Sequence, residues 1–120
     1  MSTRATYKFY NTQLTNSATV YIHWDGYPKG AADYIAGAID NKGRINVESF
    51  IRANRGAIIT QSHSSHGDTD YRYDFHRNGE ISVSKRTIEK VGDEYEENWN
   101  LIFTGSINQF LETYLVEQEA

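Results

Sequence analysis

A hairpin pattern in residues 71–83 constrains the fold more than any other feature, because apolar and polar residues alternate on both sides of an Arg-Asn-Gly turn. Such a period of two predicts strands with one buried face, and Asn-Gly usually predicts a two-residue turn. That turn would place Phe75 opposite Ser82 and mix the two faces. A three-residue turn with a left-handed Gly79 instead places Phe75 opposite Ile81. Because a one-residue slip exchanges the faces of a strand, we predict the second register.

The remaining elements follow from similar patterns. Period-two alternation and helical spacing predict strands at 4–10, 18–24 and 99–103, a strand or extended connection at 57–60, and helices at 31–39, 46–56 and 106–115. Asn46 is the predicted N-cap of the second helix, and Ser106 with Gln109 forms a capping box for the last. Residues 85–93 are charged and are predicted to form a turn. Sequential hairpins favour a two-layer α+β fold, with a mainly antiparallel sheet and helices packed on one face.

Length and composition narrow the class of protein. The 120 residues fit a single α+β domain spanning 1–120. With no cysteine, the chain has no disulfide, thiolate nucleophile or cysteine zinc site. The formal charge of -4 argues against a general nucleic-acid binder, which usually carries a basic excess. We see neither a signal peptide nor an apolar run long enough for a bilayer, so we expect a protein with no membrane partner, and the absence of cysteine suits a reducing compartment.

The sheet face opposite the helices is the first candidate for binding. The alternation predicts that this outer face carries Arg4, Lys8, Tyr21, His23, Arg72, Asp74 and His76. A solvated face is common in antiparallel sheets and explains the pattern without any ligand. A partner- or ligand-binding face is the alternative.

The segment from His23 to Gly30 joins a strand to a helix start and is the second candidate. A helix N-terminus attracts anions, Lys29 would add positive charge, and Trp24 or Tyr27 could stack on a base. The segment lacks the glycine spacing of a nucleotide-binding motif. The alternative is a tight turn in which Asp25 caps the helix and Pro28 opens it.

The polar loop at residues 61–70 is the third candidate. His63, His66 and Asp68 offer imidazole and carboxylate groups that could ligate zinc or a similar ion. The spacing matches no known zinc motif, so a polar turn or a protein-contact loop is the alternative.

Hydrolytic schemes have weaker support. Ser64 or Ser65 beside a histidine has no nucleophile-elbow pattern around it. The glutamates at 94, 96 and 97 could include a general acid or base, but such a run of acidic residues is more typical of a strand edge protected against pairing. Nine tyrosines favour recognition over catalysis, because tyrosine supplies contact area with a polar tip.

Three segments resemble a group of small proteins from phages, prophages and bacteria: residues 2–7, the His-Trp-Asp-Gly-Tyr-Pro-Lys-Gly segment at 23–30, and residues 66–73. The resemblance covers most of the chain. It implies an accessory protein of a mobile element that binds and blocks a host component in the bacterial cytoplasm. It implies no activity, cofactor or catalytic residue.

We therefore expect a non-enzymatic binding protein, such as a phage-encoded inhibitor of a host defence protein of the anti-CRISPR type. Its partner would be a host or phage protein, contacted by the outer face and the 61–70 loop, and no cofactor is predicted. One alternative is a sponge for a signalling nucleotide, a small anionic ligand held by Arg4, Tyr21, Trp24 and Lys29. The other is a metal-dependent hydrolase using the 61–70 loop. A dimer is compatible with each of these.

Overall fold

A computed structural model of the chain has six strands and three helices in two layers, and it describes residues 3–10, 17–54 and 56–115. In chain order the elements are β1 (Ala5–Phe9), β2 (Ala18–Ile22), α1 (Pro28–Ala36), α2 (Val47–Ala53), β3 (Ile58–Thr60), a 3-10 turn (His63–Ser65), β4 (Tyr71–Phe75), β5 (Glu80–Val91), β6 (Glu94–Ser106) and α3 (Ile107–Tyr114).

The six strands form one sheet in the order β3-β2-β1-β4-β5-β6. All neighbours are antiparallel except β1 and β4, which run parallel in the middle of the sheet. The predicted α+β class with a mainly antiparallel sheet is therefore confirmed. The parallel central pair was not predicted, because its two strands are distant in sequence and each carries the same alternation that an antiparallel strand would show.

The predicted register of the β4–β5 hairpin is confirmed. Phe75 lies opposite Ile81 and Tyr73 lies opposite Val83. Gly79 has a φ of 88°, the left-handed conformation that the three-residue turn requires. The apolar pattern, and not the usual turn preference of Asn-Gly, therefore decides the pairing.

Helices α2 and α3 begin where the sequence predicts, α1 begins three residues earlier, and both α1 and α2 end earlier than predicted. Asn46 is the N-cap of α2 as predicted, and it also forms a capping box with Ser49 that was not predicted. Ser106 and Gln109 form the predicted capping box of α3. Helix α1 starts at Pro28 and ends at Ala36, three residues before the predicted end, and α2 ends at Ala53. No helix in the described ranges is long and apolar enough to cross a membrane.

Stacked aromatic rings form the centre of the core between the sheet and the helices. The rings of Tyr7 and Tyr73 stack across the parallel strands with centroids 4.8 Å apart, and those of Phe9 and Phe75 stack at 4.4 Å. Phe50 of α2 packs onto both pairs. All five side chains are almost completely buried, so this cluster fixes the helices on one face of the sheet.

The prediction of a turn over residues 85–93 is wrong. Residues 85–91 continue β5, residues 94–98 begin β6, and the reversal takes place at Gly92, whose φ is 65°. Strand β4 pairs with β5 only as far as Lys85. Residues 86–99 therefore extend beyond the sheet as a two-stranded hairpin, which we call the arm.

A β-bulge between Val83 and Ser84 changes which face the residues of β6 occupy. Phe103 pairs with Val83 on the helix side, whereas Leu101 pairs with Ser84 on the outer side, so Ile102 is the extra residue. A regular alternation along β6 would have placed Trp99, Leu101 and Phe103 on one face. The bulge instead turns Trp99 and Leu101 outward.

Candidate functional site

The 61–70 loop crosses the outer face of the sheet and covers part of it. Its 3-10 turn lies against β1, where Thr6 is fully buried although it points away from the helices. Tyr21 of the neighbouring strand is buried as well. This part of the outer face is therefore neither solvated nor open to a partner, unlike both alternatives that the sequence suggested.

His63 links this loop to two strands. Its Nδ1 is within hydrogen-bonding distance of Thr6 Oγ1, and its Nε2 lies 2.8 Å from Asp74 Oδ1. Because a carboxylate only accepts, Nε2 donates to Asp74, and an imidazole in its neutral form then accepts from the Thr6 hydroxyl at Nδ1. The residues form a hydroxyl–imidazole–carboxylate chain like that of a hydrolase triad.

Because the Thr6 end is buried, this series of hydrogen bonds has a structural role and not a catalytic one. A nucleophile must reach its substrate, but Thr6 has no exposed surface. The serines considered for the same role are hydrogen-bonded elsewhere, because the hydroxyls of Ser64 and Ser65 each lie 3.1 Å from that of Ser62. The arrangement holds the loop to the sheet and offers no accessible nucleophile at this point.

A second cluster holds the other end of the loop. The His66 ring stacks on Tyr21 with centroids 3.9 Å apart, and Nε2 lies 3.1 Å from Thr60 Oγ1. Asp68 accepts from the Tyr21 hydroxyl at 3.2 Å and pairs with Arg4 at 3.1 Å. Desolvation, and next the Asp68 carboxylate, raise the pKa of Tyr21, so its hydroxyl remains a donor.

The side chains predicted to bind metal do not converge. His63, His66 and Asp68 each bond to different residues on different strands. Among the residues that the structure describes, no group of three or more His, Asp and Glu side chains could hold an ion. The loop residues act as anchors, which is the role of a polar loop fixed to a sheet.

Removing the Thr6 hydroxyl tests the anchoring role. We expect Thr6→Val to lower the free energy of unfolding by about 1–3 kcal/mol, because His63 Nδ1 loses its donor in a buried place. Urea unfolding measures this effect. Thr104→Val is the matched control, since Thr104 lies in β6 on the same outer face of the sheet but is exposed. Equal losses in the two variants would contradict a special role for Thr6.

Residues 23–27 bend alongside β1 and lead into α1, which includes Pro28 to Gly30. Gly26 donates its N–H to Thr3 O at 2.8 Å, and Asp25 has a positive φ of 52°. In the tight-turn alternative Asp25 would cap α1, but the N-cap is Tyr27, which makes no side-chain cap bond. The left-handed conformation of Asp25 explains this, because it directs the chain into a turn two residues before the helix.

The residues predicted to bind a nucleotide meet only in part. Arg4 donates to His23 at 3.0 Å, and the ring of Trp24 lies edge-on to that histidine at 4.5 Å. Trp24 is 55 % exposed, whereas Lys29 lies in the first turn of α1. A phosphate would have to displace Asp68 from Arg4, so this geometry favours an anchoring role for the guanidinium.

Arg72 connects the outer face to the arm. Its guanidinium lies over the Trp99 ring, 3.8 Å from the centroid, and its Nε has no hydrogen-bond partner among the described residues. Desolvation lowers the pKa of Arg72, against the opposing effects of Glu97 and Asp74. This cation–π contact fixes the indole on the outer face at the base of the arm.

A cleft of about 610 Å³ lies at the other end of β4, away from the loop. It is bordered by the turn of the β4–β5 hairpin, the α1–α2 connection and the start of α3. Of the predicted site residues only His76 reaches it, and that side chain bonds to Ser82 Oγ at 2.8 Å and stacks on Tyr10. The cleft therefore does not coincide with the predicted binding residues.

The outer side of the arm and its base carries exposed apolar side chains. The pairs along β5 and β6 place on this side Ile88, Tyr95, Trp99 and Leu101, which we call the arm face. Ile88, Tyr95 and Leu101 are 56 %, 71 % and 62 % exposed. The opposite side is mainly polar, with Thr87, Glu89, Glu96 and Asn98. The arm face also carries the charged Arg86, Lys90 and Glu97 among its apolar side chains. Nothing in the described chain covers Ile88, Tyr95 or Leu101, which are all exposed.

The sequence predictions missed the arm face. Ile88 and Tyr95 are separated by charged residues, and the period of two around them is irregular. The signal that could have found them is the β-branched and aromatic content of residues 86–99 together with Gly92 as a turn residue. The bulge that moves Leu101 outward has no comparable signal in the sequence.

Comparisons of the chain with known protein families, with curated proteins and with solved structures found no match.

Proposed function

We propose that this chain is a non-enzymatic binding protein whose partner is a protein, and that the arm face makes the contact. The observation that carries the proposal is a set of exposed apolar side chains on one side of a projecting hairpin. An isolated two-stranded hairpin is at best marginally stable in water, so exposed apolar side chains on it gain most from being covered. Tyrosine and tryptophan are also enriched where proteins meet.

The anchored loop supports the same proposal indirectly. The histidines, Asp68 and Asp74 that could have supplied chemistry are bonded to strands of the sheet. On the arm face, by contrast, Ile88, Tyr95 and Leu101 remain exposed. Binding therefore uses the arm face in place of the 61–70 loop that the sequence suggested.

The partner class follows from the resemblance to phage and prophage accessory proteins. We propose a host protein, and within that class a component of a defence system, as for an inhibitor of the anti-CRISPR type. Such an inhibitor acts stoichiometrically and without turnover. The arm supports the protein-binding part of the proposal, and the resemblance supports the choice of host partner.

A matched pair of variants tests the arm face. Ile88 and Val91 are both β-branched residues of β5, similarly exposed at 56 % and 52 %, but they lie on opposite sides of the arm. The tagged chain is purified gently from bacterial cells, and native mass spectrometry determines the mass of any bound protein. Affinities are then measured for that protein. We expect Ile88→Ser to weaken binding roughly tenfold and Val91→Ser to change it little.

Two outcomes would contradict this proposal. Equal effects of Ile88→Ser and Val91→Ser would show that the arm face is not the contact surface. A chain that carries a small mass excess and no protein would favour a bound nucleotide or metal ion.

A further inference from the structure

The outer edge of β6 is unpaired within the part of the chain that the structure describes. Strand β6 lies last in the sheet and has 13 residues, and its residues 94–97 and 100–102 are exposed. The backbone N–H and C=O groups along such an edge can bond to an added strand. An edge of this length can accommodate a complete strand of a partner.

The two halves of this edge differ in chemistry. The first half carries the acidic residues Glu94, Glu96 and Glu97. The second half carries Leu101 and Ile102, which are large, apolar and exposed. A strand that complements both halves must therefore combine positive charge at one end with apolar side chains at the other.

The neighbouring strand neutralises the acidic half only in part. Arg86 pairs with Glu97 at 3.6 Å but also with Asp70 at 3.3 Å. Farther along, Glu89 lies directly opposite Glu96. Like charges opposite each other destabilise a strand pair, so an added cation near Glu96 would be favourable.

A second copy of this chain is a poor occupant of the edge. Strand β6 contains no lysine or arginine, so pairing two copies would supply no cation to either acidic half. The chain also has a net charge of -4, which adds a general repulsion between copies. Charge complementarity therefore points to a different protein that brings basic residues.

We propose that β6 receives a strand of its partner by antiparallel addition, and that this strand is apolar in its first half and rich in lysine or arginine in its second. Antiparallel pairing is slightly more stable per residue than parallel pairing, and it fixes this order. The incoming strand meets Leu101 and Ile102 first and Glu97 to Glu94 last. This inference rests on the proposed protein-binding function and specifies its partner.

Two labelled peptides of about ten residues, enough to span residues 94–102, test whether the apolar half of the added strand must come first. The first alternates threonine with valine in its first half and threonine with lysine in its second; the other has the halves exchanged. Fluorescence anisotropy measures their binding to the whole chain. We expect the first peptide to bind roughly tenfold more tightly, because the exchanged peptide places lysines beside Leu101 and valines beside the glutamates.

Paired charge variants identify the edge. Glu94→Gln with Glu96→Gln should remove the preference for the first peptide. Glu48→Gln with Glu112→Gln removes the same charge from exposed helix positions and should leave the preference unchanged.

Three results would overturn the inference: equal binding of the two peptides, no binding of either, or a dimer of the wild-type chain in native mass spectrometry that peptides do not dissociate. If Ile88→Ser still weakens the captured partner while the peptides fail, strand addition is wrong and the protein-binding function stands. If Ile88→Ser and Val91→Ser behave alike, the proposed function itself fails.

Discussion

Phe50→Ala is expected to lower the free energy of unfolding by about 3–5 kcal/mol, the usual cost of removing a buried aromatic ring. The ring is fully buried, and its centroid lies 4.8 Å from that of Tyr7 and 5.4 Å from that of Phe9. Because α2 contributes this ring to both stacked pairs, a cavity would open between the helix and the centre of the sheet. Domains have a total stability of about 5–15 kcal/mol, so the variant should lose a large fraction of its free energy of unfolding.

Chemical denaturation and a melting curve measure this loss. Tyr95→Ala is the control, since it removes a similar ring that is 71 % exposed on the arm. Its stability should stay within about 0.5 kcal/mol of the wild type. A Phe50→Ala protein with the melting temperature of Tyr95→Ala would contradict the described packing of α2.

Gly30→Ala is expected to cost about 3 kcal/mol, although alanine normally stabilises a helix by about 1 kcal/mol relative to glycine. A Cβ at this position of α1 would lie 2.1 Å from the Asp25 carbonyl oxygen and 2.7 Å from the Asp25 Cβ. Both atoms belong to a turn that is fixed by the positive φ of Asp25. The turn cannot yield without moving α1 off the sheet. We therefore expect Gly30→Ala to lower the free energy of unfolding, where a glycine-to-alanine change in a helix usually raises it.

Gly37→Ala provides the matched control at the other end of α1. Gly37 has a φ of -75°, and a Cβ there would come no closer than 3.6 Å to its neighbours. We expect this variant to be neutral or stabilised by about 0.4–1 kcal/mol, because alanine restricts the unfolded chain. Urea unfolding of both variants measures the contrast, and a similar effect at both positions would argue against the close packing of Gly30 on Asp25.

Patterns that report on a buried face were sufficient to predict most of the elements. The register of Phe75 opposite Ile81 followed from one requirement, that apolar side chains share a face. The capping box of Ser106 and Gln109 followed from side-chain chemistry that acts within a single turn. Both features depend on residues close together in the chain, where the sequence is most informative.

Features that depend on distant residues could not be predicted in the same way. The alternation of residues 5–9 shows a strand but does not choose β4 as its parallel neighbour. His63 and Asp74 were each expected to be available for ligands, yet the fold pairs them with each other and with Thr6. The arm was not predicted because both of its sides are largely exposed. No buried face therefore imposes a regular alternation of apolar and polar residues on it.

The parallel pair at the centre of the sheet has a consequence for how fast the molecule folds. Ala5 lies beside Tyr71, so more than half of the chain separates two strands that must meet before the aromatic stacks can form. Closing so long a loop is entropically unfavourable, and proteins dominated by such distant contacts fold in milliseconds to seconds. Neither the segment before β4 nor the segment after it contains a complete core, and we therefore expect the two to fold in one cooperative step.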